Sequence, residues 1–488
     1  MEHQSYIISP ETGWLLLAVL GVLWIVLGMY WGRKAKNMEG FMVAGRNVGL
    51  AFGAATAMAT WVTSNTTMLA PQFALQLGIW GMIAYSTASF GLFLFAPLAK
   101  RIRRLMPFGF TSGDFIRLRY GRSTWFLFLV ISIFYGFTWL VSMGMAGGIL
   151  MNAIAGIPYE LGMTVILLVC VVYTLFGGLY AVIGTDYIQS LIILVGIVIV
   201  GIGVLTQVNI DTIYTNVVNE KPMLMNALMP AAIMAIFNNM LFGLGEVFHS
   251  NVWWSRAFAM REEVGKKAYI LSGFFWFPVP IAAGFIALTS SSLGINITSP
   301  DMVGPLVSAH VLGKAGAVIV FAVFFCSLAS SIDSLLAATS DLITEDIYRK
   351  MINPRAGENL LRKVSGGIII GLGLLSWAVC MPRIGTLATV LFFAGPMVGS
   401  TIWPIITGLF WKKANAKGAL LGMLLGSSLG LIAYFQLGWY TASLIGAAVS
   451  MVTVLICTYF FPEDFEWKGL NEAHASVDKE SMKVKSKV

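Results

Sequence analysis

The amino-acid sequence predicts an all-α membrane protein of about thirteen transmembrane helices, on three observations. Of 488 residues, 58% are hydrophobic and only 11% charged, against roughly 25% charged in a soluble domain. The mean hydropathy is +0.81. The apolar residues fall in runs long enough to cross a hydrocarbon core of roughly 30 Å as helices.

These runs lie near 13–32, 49–72, 78–99, 123–153, 159–176, 185–206, 226–250, 267–290, 314–340, 365–382, 386–411, 418–436 and 440–461. An odd count puts the termini on opposite sides. With the N-terminus outside and the C-terminus cytoplasmic, 28 of the Lys and Arg residues fall on the inner side, while Lys221, Lys314 and Arg383 stay outside. Such asymmetry is what the positive-inside rule requires. The expectation is a multi-pass protein of the cell (plasma) membrane. Residues 1–12 lack the basic start of a cleavable signal peptide.

Other classes are disfavoured. Cys170, Cys326, Cys380 and Cys457 each lie inside an apolar run without metal-ligand spacing, which suits small packing residues. The net charge of +8 forms no basic tract interleaved with aromatics, so no nucleic-acid partner is expected. There is no phosphate-loop or zinc motif and no segment long enough for a nucleotide-binding domain. An enzyme or primary pump is therefore not expected, nor a covalent cofactor.

Two spans do not read as plain helices. The second carries Thr60-Trp-Val-Thr-Ser-Asn-Thr-Thr67 and ends at Pro71; the seventh carries Phe242-Gly-Leu-Gly-Glu-Val-Phe-His249. Glycines weaken a helix, and broken backbone is tolerated at membrane depth only where it is buried or lines a wet cavity. The two spans are five apart, as inverted repeats on spans 2–6 (49–206) and 7–11 (226–411) would place them. Interrupted helices at matching positions point to a transporter binding site near the midplane. The competing reading is tight packing through small residues. Residues 1–48 would then hold an outside segment, the first span and a loop, 412–461 two accessory spans, and 462–488 a cytoplasmic tail.

In the ninth span, Ser327, Ser330, Ser331 and Ser334 share one helical face, with Asp333 beside it. Hydroxyl and carbonyl oxygens suit a hard cation, although serine stripes also serve helix contacts. A carboxylate in a membrane span is costly unless paired or functional. Asp186 opens the sixth span, where an N-cap role competes. Glu246 and His249 sit beside the glycines of the seventh. Trp253 and Arg256 lie at that span's inner end, where an arginine ordinarily snorkels to the interface; both stand as candidates. Glu345 and Asp346 read as a solvated helix end.

The chain resembles the sodium:solute symporter family. The resemblance runs from Gly40 to about Gly418 and rests on Gly40-Phe-Met-Val-Ala-Gly-Arg-Asn-Val-Gly49, Phe176-Gly-Gly-Leu-Tyr-Ala-Val-Ile-Gly-Thr-Asp-Tyr-Ile-Gln189, the serine-rich ninth span, Thr344-Glu-Asp-Ile-Tyr-Arg349 and Gly408-Leu-Phe-Trp-Lys-Lys-Ala-Asn-Ala-Lys-Gly418. It implies a leucine-transporter type of fold, with a five-plus-five inverted repeat on spans 2–11. It also implies sodium-driven uptake of a small organic solute by alternating access, with sodium held by Ala59, Val62, Ser327, Ser330 and Ser331.

A second cation site found in some members maps to Asp186, Ser330 and Ser334, with Asp333 where those members have serine. That pair implies a second sodium or a shared proton. Thr66, Thr67, Gln72, Glu246 and His249 fall near the substrate by the same resemblance. Asn251-Val-Trp-Trp-Ser-Arg256 resembles the urea-active branch, and Glu246 suits an amine-bearing solute. Urea, amine, amino acid and sugar remain open, as does oligomeric state. The alternatives are a proton-coupled symporter and a passive facilitator or channel. Channels commonly build pores from rings of like residues, a pattern this sequence lacks.

Overall fold

Ser9 starts the first membrane helix: its side chain accepts the Thr12 N–H, and Pro10 fills the first helical position, where no amide donor is needed. The computed structural model describes residues 7–226, 228–295 and 297–471, and no strand occurs among them. The major helices are α1 (Pro10–Gly32), α2 (Leu50–Trp61), α3 (Ser64–Leu77), α4 (Ile79–Leu105), α5 (Ser112–Ala155), α6 (Tyr159–Gln207) and α7 (Pro230–His249). They continue with α8 (Asn251–Ala259), α9 (Gly265–Leu288), α10 (Val303–Leu342), α11 (Glu358–Cys380), α12 (Leu387–Phe410), α13 (Ala416–Gln436) and α14 (Ala442–Phe460). The expected tail lies beyond residue 471 for most of its length, outside the described residues.

Among the described residues eleven helices are long and apolar enough to cross a membrane, two fewer than the thirteen spans expected. The difference arises in two places. The second span is divided into α2 and α3, each too short alone. The fifth and sixth spans form one run, α6, of 49 residues. At 1.5 Å per residue that run is about 74 Å long, more than twice the hydrocarbon thickness. Gly178, at φ 52° and ψ −142°, bends it sharply. A side chain is disfavoured there by the backbone and by space, since an added Cβ would sit 2.4 Å from the Phe41 carbonyl oxygen.

Both interrupted helices are present. Val62 leaves helical geometry at φ −80°, ψ 74°, and Thr63 restarts the chain as α3 by accepting the Thr66 N–H on its side chain. In the seventh span the break falls at Ser250, which is extended at φ −68°, ψ 131° and caps α8 through its hydroxyl. It does not fall at the glycines. Gly243 and Gly245 remain helical because they serve close packing: Cβ atoms there would lie 2.6 Å from the Ala88 Cα and 2.4 Å from the Val398 carbonyl oxygen.

Asp346 is fully buried, contrary to a solvated helix end. It accepts from Thr111 Oγ1 at 2.6 Å, Trp125 Nε1 at 3.0 Å and Lys350 Nζ at 2.9 Å. The segment after α10 is thereby fastened to the start of α5. The Gly40–Gly49 segment is fastened as well: Val48 pairs with the chain at Met260, and Arg46 donates to Glu39 and to the Gly109 carbonyl.

Candidate functional site

Where α2 stops, its last carbonyls lose the amide partners that a continuing helix would supply. The serine face of α10 lies against them. Ser330 Oγ donates to the Ala59 carbonyl at 3.0 Å, and Ser331 Oγ approaches the Thr60 carbonyl at 3.4 Å. Both also reach back to the Ser327 carbonyl, at 3.2 and 2.9 Å. Ser327 turns its own hydroxyl to Val323, 2.8 Å away, so its carbonyl is the atom it offers to the cluster. Val62 is buried at the break, and its N–H closes on Met58. Ala59, Ser327, Ser330 and Ser331 thus present hydroxyl and carbonyl oxygens at one place between α2 and α10. Such uncharged hard donors suit a monovalent or small divalent cation better than a soft metal.

One helical turn further along α10, the site becomes ionic. The Arg256 guanidinium does not snorkel: it is wholly buried. The break at Ser250 redirects α8, and Nη2 of Arg256 donates to Thr60 Oγ1 at 2.6 Å, Ser334 Oγ at 2.7 Å and Asp186 Oδ2 at 3.3 Å. Its Nε donates to Thr56 Oγ1 at 3.1 Å, and Thr56 in turn donates to Asp186 at 2.5 Å. Asp186 is no exposed N-cap; it lies inside the continuous α6 and is wholly buried. Asp333 takes a separate partner, accepting from the Tyr173 hydroxyl at 3.0 Å, while Ser334 stands 3.3 Å from its other oxygen. Asp186, Asp333 and Ser334 are therefore brought together, with an arginine among them.

On the other side of the breaks lies a cavity of about 20 Å³ lined by Trp61, Thr63, Asn65, Tyr85, Tyr135 and Glu246, among others. On that measure one water needs roughly 10–15 Å³, so the cavity is nearly closed. Glu246 Oε1 accepts from Trp253 Nε1 at 3.1 Å, and the Tyr135 hydroxyl is buried in the same lining without a hydrogen-bond partner among the described residues. Trp61 Nε1 and Asn65 Nδ2 are buried donors with no hydrogen-bond partner among the described residues. Phe242, one turn before Glu246, packs on Phe392 with centroids 4.7 Å apart and the rings tilted by 48°, and Phe392 packs on Trp439 at 5.3 Å. These rings close one end.

Of the other residues named from sequence, Thr66 bonds the Trp61 carbonyl at 2.9 Å and so shapes the break. Thr67 lines a separate, mostly apolar cavity beside Pro71 and Phe324. Gln72 is buried behind the break. His249 bonds the Gly245 carbonyl at 2.8 Å and packs on Tyr135 with centroids 5.0 Å apart. Thr56 and Thr60 were not singled out by sequence reasoning, although their i, i+4 spacing puts both on one face of α2. The cavity aromatics carried no signal, because they come from five separate helices.

A sequence profile described as the sodium:solute symporter family matches residues 41–426. The chain belongs to that family. It is a transporter, not an enzyme. A urea-proton symporter (DUR3) of Oryza sativa subsp. japonica is 27% identical over 504 residues, covering 91% of this chain and 70% of the relative. The osmoregulated proline transporter OpuE of Bacillus subtilis is 25% identical, covering 88% of each chain. Among solved structures, a substrate-bound, outward-open Na+-coupled sialic acid symporter superposes with TM-score 0.76 at 18% identity, covering 93% of this chain and 99% of that one. Mhp1, a nucleobase-cation-symport-1 family transporter, gives 0.55 at 14% identity, covering 88% and 96%. The fold is accordingly the leucine-transporter type.

Proposed function

We propose that this family member is a sodium-coupled symporter for a small, polar, nitrogen-bearing solute of the urea type. The observation that carries the coupling is the meeting of Ser330 and Ser331 with the α2 carbonyls at the break. The oxygens come from two helices, one from each half of the expected inverted repeat. A cation there would hold the halves in one relative position, and its release would free them to rock. Such a cation is cargo, taken from one face and released at the other.

The cavity supports the solute class. Trp61 Nε1 and Asn65 Nδ2 are donors without partners, and Glu246 is an acceptor. A solute with one carbonyl oxygen and flanking N–H groups satisfies both sides at once. Leaving such buried donors unmatched costs about 1–3 kcal/mol each, which is how a polar site selects its solute. The urea-transporting relative points the same way. Among the described residues no arginine lines the cavity, so a carboxylate-bearing solute lacks a fitting partner there.

A second reading is proton coupling, favoured by the rice relative, a urea-proton symporter, and by Asp333, a buried carboxyl with no ion-pair partner among the described residues. Uptake of labelled urea, a primary amine, proline and glucose into proteoliposomes separates the readings. Concentration of urea driven by inward sodium, and abolished when choline replaces it, is the expected result. Accumulation with an inward proton gradient alone would overturn sodium coupling. Equilibration without concentration would leave a passive facilitator.

A further inference from the structure

Arg256 occupies a position that ordinary packing does not ask for. A charged side chain within the bilayer span is costly, yet this one is wholly buried. Four oxygens surround its inner nitrogens: Thr56 Oγ1, Thr60 Oγ1, Ser334 Oγ and Asp186 Oδ2, at 3.1, 2.6, 2.7 and 3.3 Å. They come from three helices, α2, α6 and α10, none of which carries the arginine. Three hydroxyls and one carboxylate make a hard-oxygen shell with one negative charge, which is the composition a single monovalent cation takes. Asp186 Oδ1 has no hydrogen-bond partner among the described residues, so the carboxylate holds acceptor capacity beyond what the guanidinium uses.

We infer that the Arg256 guanidinium is a tethered cation seated in a hydroxyl-and-carboxylate coordination shell between α2, α6 and α10, standing where a second mobile sodium would otherwise bind. The inference rests on the sodium-symporter reading for the consequence that one sodium, at the Ala59–Ser330–Ser331 cluster, moves per cycle. A tethered charge stays with α8 and contributes nothing to the ion gradient's driving force. It does place a positive charge 3.3 Å from the buried Asp186 carboxyl.

The test counts 22Na+ bound per chain on the purified full-length protein at saturating sodium, with choline chloride as the blank. It needs no solute. The expected counts are one for the wild type, two for Arg256→Gln, one for Arg256→Lys and one for the double variant Asp186→Asn/Arg256→Gln. An equal count in the wild type and Arg256→Gln overturns the inference, since a merely structural arginine would create no ion site when removed. Should Arg256→Gln fail to fold, the wild type decides alone, because two sodium ions bound to it exclude a tethered substitute. No sodium on the wild type but one on Arg256→Gln would keep the tethered cation and remove the sodium-coupled reading.

Discussion

Arg256 and Asp186 form an ion pair at 3.3 Å in which both side chains are fully buried, the one such pair among the described residues. It ties the helix beyond the second break to α6, and Thr56 and Thr60 of α2 bond both partners. Removing one member of a buried pair leaves an uncompensated charge, which costs about 3–5 kcal/mol.

Asp186→Asn should therefore lower the melting temperature of the purified protein sharply, with Arg256 left buried and unmatched. The double variant Asp186→Asn/Arg256→Gln should recover most of that loss. A thermal-unfolding series in detergent checks this. Equal losses in the single and double variants would show that the pair is not energetically linked.

Ser330→Ala and Ser331→Ala each remove one hydroxyl from the cluster at the end of α2. A bond to a charged partner is worth about 1.5–3 kcal/mol, so each should raise the sodium concentration for half-maximal uptake by about 10- to 100-fold. Ser327→Ala should have little effect, because the Ser327 hydroxyl is turned to Val323 and its carbonyl survives the change. Uptake against sodium concentration distinguishes the three.

Glu246→Gln keeps an acceptor for Trp253 Nε1 but replaces the carboxyl with an amide. If Glu246 receives the solute's N–H groups, apparent solute affinity should fall about 10- to 100-fold while the sodium dependence stays in place. Competition binding with unlabelled solute measures it. A parallel loss of sodium affinity would place Glu246 in the ion path instead.

The legible part of this site was the part that local pattern encodes. A polar run closed by Pro71 gave away the α2–α3 break, and serine spacing revealed the face that α10 turns to it. Asp346 was misread because Glu-Asp beside Arg349 and Lys350 looks like any solvated helix end. Its partners Thr111 and Trp125 are 235 and 221 residues away in sequence. Arg256 stood as a candidate, but its burial was not legible for the same physical reason: an arginine near a span's end snorkels unless distant helices form a shell, and that shell comes from Thr56, Thr60, Asp186 and Ser334. The cavity rings are equally non-local. Long-range convergence leaves no periodic trace in a single sequence.

Asp346 carries a prediction of its own. Asp346→Ala removes the acceptor shared by Thr111, Trp125 and Lys350, and each orphaned buried donor costs about 1–3 kcal/mol. Lys350 keeps Asp114 as a partner, so the charge itself remains matched. The expected result is a lower melting temperature together with faster cleavage by added protease between α10 and α11. Thr111→Val should show a smaller shift in the same direction.

The last prediction separates packing from hinging at the seventh span. Were Gly245 a hinge, Gly245→Ala would stiffen the helix and slow transport with little change in stability. The structure puts the break at Ser250 and sets the Val398 carbonyl oxygen 2.4 Å from a Cβ at position 245. Alanine there must push α7 away from its neighbour, and overpacking of this kind costs about 1–3 kcal/mol. Gly245→Ala should thus lower the melting temperature. Ser250→Ala, which loses only the α8 cap, should cost about 0.5–2 kcal/mol. A Gly245→Ala protein of unchanged stability and reduced turnover would return the hinge to the glycine.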